Sequence, residues 1–546
     1  MSMSDIDQNL YEFLMKNSKD ENAVRDKLRN EGLNFRFDKL KENANYENAI
    51  KLRYMLINYE LKNIKQKFEQ KGITFVVLKG ISLAQRLYKN PCNRYFGDID
   101  LLVASKDLYK ATKIMEILGY RTEGETDEES LNYYLQQMYR ELHLMPFYKK
   151  VAGSVEIIIE LHMDIVSLWM FRIDTQLTEC ILDRRKIEND IPVMDEYDTI
   201  IFQILHLFKH YIAEMTAGFV NGVIENKVSL KGLHEIALLV DKYIDILDEK
   251  QFSDRVVEFR ATEEVRLIKA WLLKVYPDLG KIKNLSVHDK KADCIADHFC
   301  GAIRNVDIKR LLLDDSQKVA SEIIFFLQKG APSLKCYKSD VRITPKEQAE
   351  SCGYLDGDRG KTGSPFGTRK VYGTIGKEVD YTAKFWFTWD NTYLWFHVIV
   401  KHFNPVFHQY INDDLMISDN SQEFVRLFFD TANRKQGEPY VCALIIKPKY
   451  NSEGKIDIYV HKNINGNLGK EIVHRTEYVS KIDISDEGYF LQIGLKWDII
   501  PLIPKIGIEI ILDVLVSTEE LEITWQNASY NGWYNIGEYG KIVLQE

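Results

Sequence analysis

Two aspartates one residue apart, Asp98 and Asp100, stand in the segment FGDIDLLV. Side chains alternate along a strand, so both carboxylates point to one face. Like charges side by side repel, and the pair is costly unless a cation sits between them. A hard divalent ion with oxygen ligands is the cation such a pair suits. Upstream, Lys79 and Gly80 end an apolar run, and Arg94 and Gly97 lie just before the aspartates. A second acidic strand pattern follows in SVEIIIELHMD, where Glu156, Ile158, Glu160 and His162 share one parity and Ile157, Ile159 and Leu161 the other. Both glutamates lie on the polar face of that strand. His206 and His210 are four apart and share a helix face. No carboxylate or cysteine completes a ligand set with them, so they read as core or groove-lining residues.

The elements that must hold these groups can be read around them. Phe75–Leu78 is an apolar run, Lys79-Gly80 a turn, and Ile81–Tyr88 a short helix-compatible piece. Pro91 and Gly97 punctuate a second turn, and Leu101–Val103 is again apolar. The pattern is strand, turn, helix, turn, strand. Residues 1–72 read as helical. Ile50, Tyr54, Ile57, Leu61, Ile64 and Phe68 make one apolar stripe, and Gly72 stops it. Ser105 and Gly119 are fit to begin and end another helix. Tyr133, Tyr134, Tyr139 and His143 form a polar-aromatic stretch assigned chiefly to packing. Residues 195–277 are helical again and include the amphipathic Leu230–Val240. From about residue 336 glycines become dense. From Phe385 onward short alternating strands recur, including KFWFTWD, TYLWFHVIV, EFVRLFFD and YFLQIGLKW. Eight or more such strands argue a β-sandwich.

At 546 residues the chain is too long for one core. The net charge of −9 carries no basic domain and argues against a general nucleic-acid binder. Seven scattered cysteines fit a reducing compartment. The N-terminus MSMSDIDQNL has neither a basic nor an apolar signal region, and no apolar run is long enough to cross a membrane. The expected location is the cytoplasm.

The segment LKG…R…GDIDLLV resembles the bacterial "uncharacterised nucleotidyltransferase" group of the DNA-polymerase-β-like superfamily. Lys79-Gly80 stands where the superfamily usually has Gly-Ser. The group's "vDlHw" motif is matched by Glu160-Leu161-His162, with Glu for Asp and Met163 for the aromatic, which favours Glu160 over Glu156. Its "hDia.ll" element is matched within LKGLHEIALLV, with Glu235 for Asp. The resemblance implies transfer of a nucleoside monophosphate from an NTP to an acceptor hydroxyl, with release of pyrophosphate. Asp98, Asp100 and Glu160 would be the catalytic and metal-holding carboxylates for two Mg²⁺ ions. Lys79, Gly80 and Arg94 would bind the nucleotide phosphates. The acceptor is left open: a small molecule, a glycan or a protein.

The C-terminal strands resemble a family 9 carbohydrate-binding module. Trp389-Asp390-Asn391-Thr392-Tyr393-Leu394, the segment from Asn420 to Asp430, the segment from Tyr489 to Trp497, and the Gly540–Leu544 ending follow its order. Trp533 in NASYNGWYN is the candidate for stacking on a sugar, and most of the other tryptophans, lying in strand patterns, are assigned to the core. The expected chain is therefore multidomain. Residues 1–194 form an α+β nucleotidyltransferase with a mixed sheet and flanking helices. Residues 195–335 are a helical domain and linker, and 336–546 an antiparallel β-sandwich. A second reading keeps the fold without catalysis, as a scaffold whose sandwich docks a glycan or a protein.

Overall fold

The alternation in FVV, DIDLLV and VEIIIELH builds a six-stranded mixed sheet in the computed structural model. The structure describes residues 5–18, 20–30, 33, 44–94, 96–123, 126–128, 131, 143–151, 155–165, 177–221, 228–279, 282, 300–301, 303–304, 306–313, 319, 323, 333–340, 351–356, 369–373, 382–401, 424–430, 441–451, 453, 455–464, 471–500, 502–517, 521–525 and 540–546. The chain divides into two units, Met1–Ile212 with Lys227–Asp314, and Ala213–Asn226 with Asp315–Glu546.

In the first unit the strands are β1 (Phe75–Val77), β2 (Asp98–Val103), β3 (Phe147–Val151), β4 (Val155–His162), β5 (Lys186–Glu188) and β6 (Ile191–Val193), in the order β3-β4-β2-β1-β6-β5. β2 runs antiparallel to β1 and parallel to β4. One face of the sheet is apolar: Phe75, Val77, Ile99, Leu101, Val103, Ile157, Ile159 and Leu161 are buried in a single cluster. The Ala44–Gln70 helix adds Ile57, Leu61, Ile64 and Phe68 to that cluster, as its stripe predicts. The opposite parity of β2 and β4 carries Asp98, Asp100, Glu156, Ile158, Glu160 and His162. Core packing thus decides which residues are left for the other face.

The helices expected as a separate domain from residue 195 cluster largely with this sheet. Specific ties explain the grouping. Arg86, in the short Ile81–Leu87 helix, donates to Thr199 Oγ1 at 2.7 Å. Arg94 reaches Glu235 in the Leu230–Tyr243 helix. Buried, charge-assisted contacts thus link residues on the two sides of position 194.

The second unit is β-rich, as expected. Its main path runs β15-β14-β13-β12-β18-β20-β7-β10-β11-β17-β16. These strands are β7 (Ser333–Lys338), β10 (Thr382–Trp389), β11 (Tyr393–Lys401), β12 (Phe424–Asp430), β13 (Val441–Tyr450), β14 (Ile456–Ile464), β15 (Glu471–Ile472), β16 (Tyr478–Ser485), β17 (Gly488–Lys496), β18 (Glu509–Ser517) and β20 (Gly540–Leu544). The short β8 (Cys352–Asp356), β9 (Arg369–Gly373) and β19 (Leu521–Thr524) pair at the sides. It is not wholly antiparallel, because β7 pairs in parallel with β20 through Ser333–Cys336 and with β10 through Tyr337–Lys338. That one strand joins the two groups of strands, and both groups contribute to one core, from Phe385, Phe396 and Leu491 to Leu427, Leu444 and Leu512.

Trp389, Trp497 and Trp525 are buried in that core. Trp386 and Trp395 are not. They lie on the opposite parity and are half-buried, with Trp386 stacked on His397 at 5.0 Å and Trp395 Nε1 donating to Asp390 Oδ2 at 2.7 Å. Strand membership alone therefore did not assign tryptophans to the core. Trp533 lies outside the described residues, as do Tyr133, Tyr134 and Tyr139. Among the described residues, no helix is long and apolar enough to cross a membrane.

Candidate active site

Parallel pairing of β2 with β4 sets Asp98 opposite Ile158, Asp100 opposite Glu160 and Leu102 opposite His162. Directly opposed residues on neighbouring strands share a face. Asp100 and Glu160 are thus brought together by register, and His162, two residues on from Glu160, joins them. His162 Nε2 lies 3.1 Å from Asp100 Oδ1 and 3.3 Å from Glu160 Oε2. His143 pairs with His162 in an isolated antiparallel bridge, and its Nε2 is 3.8 Å from Glu160 Oε2. The two imidazoles lie 4.9 Å apart. Glu156 is exposed and outside this cluster; its backbone carbonyl accepts from Arg53 Nη1 at 3.1 Å.

The repulsion expected between Asp98 and Asp100 is met from within the chain. Lys79 Nζ lies 3.5 Å from Asp98 Oδ2 and 3.3 Å from Asp100 Oδ1. Burial works against the Lys79 ammonium, but the carboxylates of Asp100, Asp98 and Glu160 prevail and hold its pKa above the ordinary value. For Asp98, burial and the neighbouring Asp100 charge raise the carboxyl despite Lys79. Asp100 has 0% exposure. Burial opposes its ionised form, yet the hydrogen bond to His162 and the Lys79 charge leave its pKa below the ordinary value. Glu160 is also held low, since His162 and His143 outweigh its burial. His162 is raised, because its contacts with Asp100 and Glu160 overcome burial.

Three features shape this corner. Gly80 has φ 64° and ψ −110°, and a Cβ there would sit 3.2 Å from the Asp98 carbonyl oxygen and 3.3 Å from the Phe96 ring. Only glycine takes that backbone without strain. Arg53 donates to the Gly97 carbonyl at 2.6 Å and to the Phe96 carbonyl at 3.4 Å, pinning the loop that delivers Asp98. Arg94 closes its guanidinium fork on Glu235, with Nε to Oε1 at 2.7 Å and Nη2 to Oε2 at 2.9 Å. Its Nη1 donates to the Gly80 carbonyl at 3.2 Å. The guanidinium expected at the phosphates is thus engaged within the protein. His206, from the Glu196–Asn221 helix, is pulled well below the usual imidazole value by burial, by Lys79 and by His210.

The donor set suits a divalent ion. Asp100, Glu160 and His162 each offer one ligand atom, all within 4.8 Å of one another. Asp100 Oδ2 and His162 Nδ1 are buried without a hydrogen-bond partner. A buried carboxylate oxygen left without a partner is costly, and a metal ion would relieve it. Sequence spacing indicated Asp98 and Asp100, and the family resemblance favoured Glu160 over Glu156. It did not mark His162 as a donor, although its parity with Glu160 was visible. Arg53 carried no signal.

A mixed sheet with an acidic pair at the start of one strand and a carboxylate opposite it on the next is the arrangement that the sequence resemblance leads one to expect. Residues 21–273, just under half of the chain, match the family model of an uncharacterised nucleotidyltransferase. No curated protein matches the chain. Among solved structures, the C-terminal region is similar to a family 9 carbohydrate-binding module from Caldicellulosiruptor kristjanssonii. In its complex with cellotriose the identity is 14%, over 39% of this chain and 93% of that one, with a TM-score of 0.23. In its complex with glucose the identity is 15%, over 39% and 94%, with a TM-score of 0.24. At these scores the likeness carries no functional weight.

Proposed function

We propose that the first unit transfers a nucleoside monophosphate from an NTP such as ATP to a hydroxyl of an acceptor and releases pyrophosphate. The observation that supports this most is the register pair Asp100–Glu160 beside the Lys79–Gly80 turn, with the buried Asp100 Oδ2 unpartnered. Asp98, Asp100 and Glu160 would hold two divalent ions, Mg²⁺ being the ordinary choice for phosphate substrates. When bound, the ions supply charge neutralisation and polarisation at the transferred phosphoryl group.

The chain's own residues do the rest. Lys79 balances the two aspartates in the free protein and is within reach of a polyphosphate once ions take over that task. Gly80 lets the backbone turn closely against β2, giving the phosphates room beside it. Glu160, held ionised, takes the proton of the acceptor hydroxyl or ligates the second ion. The hydroxyl oxygen forms the new bond to the α-phosphorus, and the bond to the bridging oxygen of pyrophosphate breaks. Arg94 serves as a positioning residue that fixes the Gly80 turn to the Leu230–Tyr243 helix.

The test is incubation of the full chain with each α-labelled NTP, Mg²⁺ or Mn²⁺, and a cell extract. Label appearing on an acceptor, with pyrophosphate released, is the expected result. Asp100→Asn should abolish it while the fold is retained. Transfer at the wild-type rate by that variant would overturn the assignment, and absence of transfer with every NTP would favour the scaffold reading.

A further inference from the structure

We propose that His162 is a metal ligand, and that the ion at Asp100, Glu160 and His162 is therefore a borderline first-row cation of the Mn²⁺ type rather than Mg²⁺. The inference rests on the nucleotidyltransferase reading of this cleft and names the metal class of one of its two ion positions.

The geometry is that of a coordination edge. Ligands at right angles on an ion with bonds of about 2.1 Å lie about 3.0 Å apart. His162 Nε2 is 3.1 Å from Asp100 Oδ1 and 3.3 Å from Glu160 Oε2. The nitrogen is already at ligand-to-ligand spacing from both oxygens. On metal binding the imidazole would give up the Nε2 proton it shares with the two carboxylates and keep the one on Nδ1, which frees the Nε2 lone pair toward the same position. His162 is 8% exposed, on a strand whose register fixes it against β2. It cannot be a casual surface neighbour of the cluster.

The two ion positions are then unequal. One is served by oxygens alone, from Asp98 and Asp100. The other has one nitrogen and two carboxylates. Mg²⁺ prefers oxygen donors, whereas imidazole adds affinity for first-row transition ions. A histidine at one position makes the cleft selective without changing its charge as a further carboxylate would.

Metal binding tests this without reference to turnover. The full chain is titrated with Mn²⁺ alone and with Mg²⁺ alone, and pulsed electron paramagnetic resonance of the Mn²⁺ form is examined for a directly bound nitrogen. The expected result is a nitrogen coupling in the wild type that changes when histidine is labelled with ¹⁵N. His162→Gln and His162→Asn should lose the coupling and weaken Mn²⁺ by about tenfold or more, with a much smaller effect on Mg²⁺. His143→Gln should keep the coupling. Bound Mn²⁺ without nitrogen coupling in the wild type overturns the inference, as does a coupling that disappears with His143 rather than His162, or no Mn²⁺ binding at all. Nucleotidyl transfer is followed in parallel. Transfer without nitrogen coupling leaves the function standing and removes this ligand. Nitrogen coupling without transfer for any NTP leaves the ligand standing and removes the function.

Discussion

Replacing Arg94 distinguishes a phosphate ligand from a positioning residue. Arg94 is 8% exposed and Glu235 3% exposed, and they share two charge-assisted hydrogen bonds at 2.7 and 2.9 Å. Arg94→Met would leave the Glu235 carboxylate buried with the Tyr88 hydroxyl, at 3.3 Å, as its remaining hydrogen-bond donor among the described contacts. Breaking a buried pair from one side costs about 3–5 kcal/mol, most of it the uncompensated charge. Glu235→Gln strands the guanidinium instead and should cost a similar amount. The double variant Arg94→Met/Glu235→Leu should cost clearly less than the sum, because neither charge is left alone. Native-state hydrogen exchange of amides in the Leu230–Tyr243 helix reads these costs locally, without assuming that both units unfold together. Because Arg94 also holds the Gly80 carbonyl, both single variants should weaken NTP binding together. A different outcome would refute the reasoning: Arg94→Met losing NTP affinity at unchanged stability, with Glu235→Gln silent.

Three further expectations follow from the same contacts. Glu160→Gln should lower transfer about a hundredfold or more, the several kcal/mol a metal clamp supplies, whereas Glu156→Gln should stay within about twofold; steady-state kinetics of the two variants decide between them. Gly80→Ala forces a Cβ to 3.2 Å from the Asp98 carbonyl at positive φ, so it should cost about 1–3 kcal/mol by denaturant titration and reduce NTP affinity, and an unchanged variant would contradict the close approach. In the second unit, burial drives the His397 pKa down to about 4. The unfolded chain, near 6.5, takes up the proton first, so His397 costs nothing above pH 6.5, and stability falls as pH drops from there toward 4, by up to about 3 kcal/mol. Histidine NMR should show the ring neutral to about pH 4, and His397→Gln should flatten the stability profile over that window; titration near 6.5 would contradict the burial.

What could be read locally was a two-valued quantity, the face on which each side chain sits. Alternation assigned Asp98 and Asp100 to one face, and Glu160 and His162 to one face, because both strands bury their other parity. The stripe of the Ala44–Gln70 helix was legible for the same reason. What could not be read was which charges meet. Arg94 and Glu235 are 141 residues apart, and nothing in the neighbourhood of Arg94 indicates that its fork is already filled. Lys79 reads as a phosphate ligand for the same reason, while its ammonium also serves as the cation that the aspartate pair requires. The β7 strand carried no sign that it would pair in parallel on both sides and join the two groups of strands.

The deciding variable is the β2/β4 register, and it is set by the core rather than by the charges. Ile159 opposes Ile99 and Leu161 opposes Leu101, all four buried on the apolar face. A slip of one residue would set Ile159 or Leu161 against Asp100 and turn Glu160 and His162 toward the opposite face. Burying two charged groups in that cluster would cost far more than any cation on the polar side could restore. The same apolar contacts that stabilise the sheet therefore hold Asp100, Glu160 and His162 at ligand spacing before any ion arrives. That pre-arrangement lets a free protein tolerate an unpartnered, fully buried Asp100 oxygen.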